Sequence, residues 1–94
     1  MYILRIEHRV PDFEHWKKVF DSDPVGREKA GVRRYRVLRP ADDANYAMVD
    51  LEFDTREAAG NLLASLRVLW KRVEGDVMTG PQARIIELVE AREL

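Results

Sequence analysis

Hydrophobic and polar positions alternate from the first residues. Tyr2, Leu4, Ile6 and His8 fall on one side and Ile3, Arg5, Glu7 and Arg9 on the other, the period-two pattern of a half-buried strand. Val10-Pro11-Asp12 interrupts it, because proline cannot donate to a ladder and aspartate is a good helix N-cap. Phe13, Trp16, Val19 and Phe20 then recur at helical spacing, with Glu14, Lys17, Lys18 and Asp21 opposite. Pro24 ends this helix near Ser22 or restarts it with Asp23 as a new cap, and Gly31 closes the region as a C-terminal glycine.

Val32–Arg39 and Tyr46–Phe53 read as two further strands, joined by the turn-rich Pro40-Ala41-Asp42-Asp43-Ala44-Asn45. So short a link makes them antiparallel neighbours. Asp54, with Glu57 reaching back, predicts the start of a second helix. Ala58, Ala59, Leu62, Leu63, Leu66, Leu69, Trp70 and Val73 share one arc of it, and Gly75 ends it. Gly80-Pro81 reads as a turn and Ala83–Glu90 as a fourth strand. The order βαββαβ, with two helices each burying one stripe on one sheet, predicts a single α+β domain over 1–94. Its architecture is a ferredoxin-like two-layer sandwich with an antiparallel four-stranded sheet.

Parity divides the sheet. Leu4, Ile6, Tyr35, Val37, Ala47, Val49, Leu51 and Phe53 face the helices, whereas Arg5, Glu7, Arg34, Arg36, Asp50 and Glu52 carry the opposite face, with Tyr46 and Met48 nearby. In the hairpin the two arginines sit opposite or diagonal to the two acids in any even register. Such a face suits water, and it equally suits a second copy across a two-fold axis.

Charge changes the list of partners. Charged residues are 35% of the chain, yet 16 Lys+Arg against 17 Asp+Glu leave a net charge of −1, which excludes a generic grip on nucleic acid or an acidic membrane. RNA-recognition domains of this topology stack bases on central-strand aromatics, and the equivalent positions here are Arg5, Glu7, Asp50 and Glu52. The absence of cysteine removes disulfides, thiolate metal sites, iron–sulfur clusters and a cysteine nucleophile. No apolar run approaches the about 20 residues that span a bilayer, and the N-terminus lacks a signal-peptide pattern. The expectation is a cytoplasmic protein.

Several stretches carry a family resemblance: His8-Arg9-Val10-Pro11-Asp12-Phe13-Glu14-His15-Trp16-Lys17; Gly31 with Arg36-Val37-Leu38-Arg39 and Asp42-Asp43; Leu51-Glu52-Phe53-Asp54 running into Glu57-Ala58-Ala59; and Gly80-Pro81. Together they resemble the dimeric α+β barrel superfamily, in particular its antibiotic biosynthesis monooxygenase-like domains. The resemblance covers nearly the whole chain. It implies a homodimer whose charged sheet faces meet to form a barrel, and a pocket between sheet and helices for aromatic or polyketide-like molecules. Family members include cofactor-independent monooxygenases that oxidise phenols to quinones, small isomerases and haem-degrading enzymes. The last take their iron ligand from a histidine on the second helix; Arg56–Glu74 contains none, and no cofactor is expected.

Candidate chemistry is sparse. His15 lies on the solvent side of its helix, roughly 100° from the centre of the apolar stripe. His8 faces the helices at the end of the first strand, where a neutral imidazole is able to accept a phenolic proton; alternatively its ring bonds the loop backbone. A metal site from His8, Asp12 and His15 is rejected, since Asp12 is a cap and His15 points away. Tyr35 on the helix-facing side of the second strand is the orienting candidate, and Trp16 and Trp70 are the expected substrate-binding walls, although aromatics at such spacings also form plain core. Two functions follow: a monooxygenase acting on an aromatic or quinol-like molecule with His8 as base, or a non-catalytic dimeric module that binds a small apolar ligand or stabilises an assembly.

Overall fold

The computed structural model describes residues 1–94. Six elements follow in order: β1 (Tyr2–Arg9), α1 (Phe13–Asp21), β2 (Val32–Leu38), β3 (Tyr46–Phe53), α2 (Arg56–Val73) and β4 (Thr79–Glu87). All strand pairings are antiparallel, in the order β2-β3-β1-β4. The two helices cover one face of the sheet, giving the ferredoxin-like α+β sandwich. The core joins Leu4 and Ile6 of β1, Ala47, Val49, Leu51 and Phe53 of β3, and Ala59, Leu62, Leu63 and Leu66 of α2. Phe53 and Leu4 are fully enclosed.

β2 stops at Leu38, one residue short of the expected Arg39, and three further boundaries differ from the sequence expectation, each for a local reason. The cap of α2 is Thr55, whose Oγ1 accepts from the Ala58 amide at 3.1 Å. Asp54, the expected cap, instead takes Arg33 in an ion pair at 2.7 Å, and a threonine one residue later serves the same orphan donor. Gly80-Pro81 lies within β4 rather than in a turn. Because β4 is an edge strand, the missing N–H of Pro81 costs little, and the Gly80 φ of +62° sits beside a register shift opposite Glu7 and Arg9. The strand also ends at Glu87, not residue 90, because β1 offers no partner beyond Tyr2; the last bond is from the Leu88 amide to the Met1 carbonyl.

α1 ends at Asp21 with Ser22 as its C-cap, and Asp12 caps its start by accepting from the Glu14 amide at 3.0 Å. The connection to β2 is a series of turns closed by Gly31, whose φ of +101° disfavours any side chain and where an added Cβ would meet the Ala58 Cβ at 3.4 Å. Gly31→Ala is expected to lower stability by about 1–2 kcal/mol, the cost of forcing a Cβ into left-handed backbone, read as a lower urea midpoint at constant m-value.

Candidate active site

The site begins with the way β1 ends. His8 is the last inward residue of that strand; it pairs with Ala47 of β3, but the ladder to β4 is interrupted opposite it. Its ring is 3% exposed and meets Trp16 of α1 edge-on, centroids 5.5 Å apart. His8 Nδ1 lies 3.3 Å from the Arg9 carbonyl oxygen. A carbonyl only accepts, so Nδ1 carries the hydrogen and Nε2 keeps its lone pair. The alternative foreseen for this residue, a bond to adjacent backbone, is therefore present, and it leaves the other nitrogen basic.

Burial pushes the His8 pKa below its ordinary 6.5, against a smaller opposing effect of the bond to Arg9. The folded protein thus holds the ring neutral where the unfolded chain already binds a proton. The resulting stability is complete above pH 6.5 and is lost as pH falls from there through the lower folded value. His8→Phe, which keeps a ring against Trp16, is expected to flatten the fall in Tm below pH 6.5; an unaltered profile would count against a buried neutral imidazole.

Above His8 lies a cavity of ≈ 80 Å³ between sheet and helices. Of its 16 lining residues 13 are hydrophobic. Ile6, Val49 and Leu51 form the floor from the sheet; Leu66, Leu69, Trp70 and Val73 descend from the last turns of α2; and Trp16, Val19 and Phe20 supply the α1 wall. Sequence periodicity accounts for these walls, since Trp16, Val19 and Phe20 follow one helical stripe. The space is smaller than the about 150 Å³ that admits benzene in an apolar core. A ring-sized ligand therefore requires the half-buried residues Leu69, Trp70 and Val73 to give way.

His8, Trp16 and Trp70 all line this cavity. Tyr35 is not among the lining residues. It projects on the helix side of β2, but β2 is an edge strand and α1 is only nine residues long, so the ring stays 45% exposed. It packs edge-on against the outer side of Phe20, centroids 5.3 Å apart. His15 is exposed on α1. The residues missed from sequence are Val25, Val77 and Met78, which close the cavity from irregular segments, and Arg27. No helical or strand period reaches those segments, so no pattern announced them.

The opposite face of the sheet is a charge lattice. Asp50 pairs across strands with Arg5, which donates from Nε and Nη2 at 2.8 and 2.9 Å, and with Arg36 at 3.5 Å. Glu52 lies 3.8 Å from Arg34, and Tyr46 donates its hydroxyl to Glu7 at 2.7 Å. The hairpin register sets Arg34 opposite Glu52 and Arg36 opposite Asp50, one of the even registers that parity left open. Hydrogen bonds from Arg5 hold the Asp50 carboxyl below the usual carboxylate range despite its burial. Because the Arg5 side chain is 46% exposed, solvent screens the pair, which is worth on the order of 1 kcal/mol or less.

This βαββαβ architecture is shared with a protein from Nitrosomonas europaea described as an antibiotic biosynthesis monooxygenase, which gives a TM-score of 0.72 at 20% identity, over 96% of this chain and 100% of that one. SnoaB from Streptomyces nogalater, a cofactor-independent oxygenase, superposes with a TM-score of 0.75 at 14% identity, over 96% of this chain and 94% of that one. MhuD, a heme-degrader from Mycobacterium tuberculosis with two hemes bound in its active site, gives 0.69 at 18% identity, over 97% and 99%. A dimeric ferredoxin-like protein from an uncultured marine organism gives 0.64 at 10% identity, over all of both chains. No protein-family model matches the sequence, and no curated protein does. Identities this low establish the fold. No helix is long and apolar enough to cross a membrane.

Proposed function

We propose that this chain is a homodimeric, cofactor-independent monooxygenase that oxidises an aromatic or quinol-like small molecule in the cavity above His8. The observation that carries this reading is a buried imidazole lining an apolar chamber with its Nδ1 3.3 Å from a backbone carbonyl, an arrangement in which Nε2 serves as the base. A phenol entering the chamber gives its proton to Nε2. The resulting anion is the electron donor: its ring carbon bonds dioxygen, the ring hydrogen on that carbon leaves as a proton, and the O–O bond breaks. One oxygen atom stays as the new quinone carbonyl and the other departs as water, so dioxygen is the only oxidant required. Desolvation strengthens the anion's reducing character by removing the water that would stabilise its charge. Trp16 and Trp70 sandwich the ring, and Tyr35 acts at one remove by bracing Phe20. The second copy docks on the face bearing Arg5, Glu7, Arg34, Arg36, Asp50 and Glu52.

The test is oxygen uptake and quinone absorbance over a panel of naphthols and anthrones, with mass by light scattering on the same sample. Uptake matched by quinone and a mass twice 11.0 kDa support the reading; no uptake with any compound rejects it. One observation favours the second reading, a non-catalytic binding module: no side chain beyond the Arg9 backbone orients His8. That reading expects ligand binding without oxygen consumption.

A further inference from the structure

The cavity has two polar ends. His8 is one. The other is Arg27, the only permanently charged residue in its wall. A ladder of rings joins them along α1: His8 against Trp16, Trp16 stacked on Phe20 at 5.3 Å, and the Arg27 guanidinium 3.8 Å from the Phe20 centroid. Arg27 also borders a polar outer cleft formed with Asp23, Glu28, Arg33, Arg34 and Tyr35, so it stands between a dry chamber and a wet one.

Its side chain is only 12% exposed, and its charge is incompletely answered. Nη1 donates to the Phe20 carbonyl at 2.8 Å, and the 37%-exposed Asp23 carboxylate lies 3.5 Å away. A guanidinium has five N–H donors in a planar fork; its face here lies over Phe20 at 3.8 Å and Tyr35 at 5.0 Å, and the N–H groups not given to Phe20 are not sealed off without a partner, so the edge of the fork stays open to another acceptor. Beside an apolar wall, a carboxylate satisfies that fork in two parallel bonds, whereas a neutral ligand leaves it partly desolvated.

We propose that Arg27 is the specificity-determining residue of this cavity, and that the ligand is a flat apolar ring system carrying a carboxylate at the end remote from its hydroxyl. The carboxylate meets Arg27 and the hydroxyl meets His8. This rests on the cavity being the ligand site, as in the reading above, but not on the oxidation.

The test is calorimetric titration under nitrogen with 6-hydroxy-2-naphthoate, whose hydroxyl and carboxylate lie at opposite ends of a rigid bicycle, and with its methyl ester. Wild type is expected to bind the acid at least about tenfold more tightly than the ester, the worth of one charge-assisted contact. Arg27→Gln is expected to erase that preference and Arg27→Lys to retain part of it. Asp23→Asn keeps a side-chain oxygen for the Arg27 amide, which Asp23 now accepts at 2.9 Å, and removes the competing charge; it should raise the acid-to-ester ratio. That variant keeps the proposal testable if Arg27→Gln fails to fold. Equal binding of acid and ester, a preference that survives Arg27→Gln, a ratio unmoved by Asp23→Asn, or no binding of either compound overturns the proposal. Oxygen plays no part in these titrations. A protein that discriminates the acid without consuming oxygen sinks the oxygenase alone, and one that oxidises phenols but ignores the carboxylate sinks only the role of Arg27.

Discussion

Oxygen uptake by His8→Ala is expected to fall by about 10²- to 10⁴-fold with any phenol that the wild type oxidises, the usual worth of a positioned general base. The chamber offers no substitute. Arg27 cannot accept a proton, and the remaining lining side chains are aliphatic, aromatic or thioether apart from Pro24. The substitution also removes a ring that is 3% exposed and packed on Trp16, so some loss of Tm accompanies it. Adding imidazole to His8→Ala separates the two effects: it fits the vacated space and restores a base without restoring the covalent side chain. Recovery of uptake assigns the proton transfer to this position. A variant that turns over at the wild-type rate would falsify the role, and one that loses only Tm, in a protein that binds but never oxidises, belongs to the ligand-binding alternative.

If a second copy docks on the charged face as proposed, Arg36→Glu is expected to weaken that dimer on the order of 100-fold. The arrangement of the charged face makes this position sensitive. The acids lie underneath and the arginines on top: the side chains of Asp50 and Glu52 are 3% and 11% exposed, those of Arg36 and Arg34 61% and 72%. A partner sheet therefore meets guanidinium edges first. Reversing the charge at residue 36 removes one such edge and sets a new carboxylate beside Asp50, 3.5 Å from where the guanidinium was; like charges held together at an interface cost several kcal/mol. Light scattering over a concentration series gives the dissociation constant, and circular dichroism shows whether the monomer released is still folded. Arg36→Gln, which removes charge without reversing it, should fall between the two. A dissociation constant indifferent to both places the interface on another surface.

The two faces of the sheet were legible because strand periodicity needs no tertiary information: once Leu4 and Ile6 point inward, Arg5 and Glu7 must point out. The β2–β3 register was also within reach, since a short link and parity constrain it. The pairing of Arg5 with Asp50 was not, because β1 and β3 are joined through a helix and a strand, and nothing local fixes their alignment. Thr55 and Asp54 are both good caps, and only the claim of Arg33 on Asp54 decides between them. In the site, the positions that obey a period, His8, Trp16 and Trp70, were found. Tyr35 has the right parity but the wrong strand: an edge position gives it a helix neighbour without a roof. Arg27 lies in a turn-rich stretch, where its approach to Phe20 depends on the positive φ of Asp23, 54°, and on the chain doubling back to the end of α1.

The strand order has a consequence for how the protein is made. β1 leaves the ribosome before the other five elements, yet it is a central strand whose neighbours are β3 and β4. Until Thr79–Glu87 has been synthesised, one whole edge of β1 stays unpaired and Val77 and Met78 are missing from the wall opposite His8. Neither the four-stranded sheet nor the chamber is therefore complete until β4 has been made. A nascent polypeptide halted after α2 displays Leu4, Ile6 and the lower side of α2 with an open strand edge beside them, the kind of surface on which chaperones act.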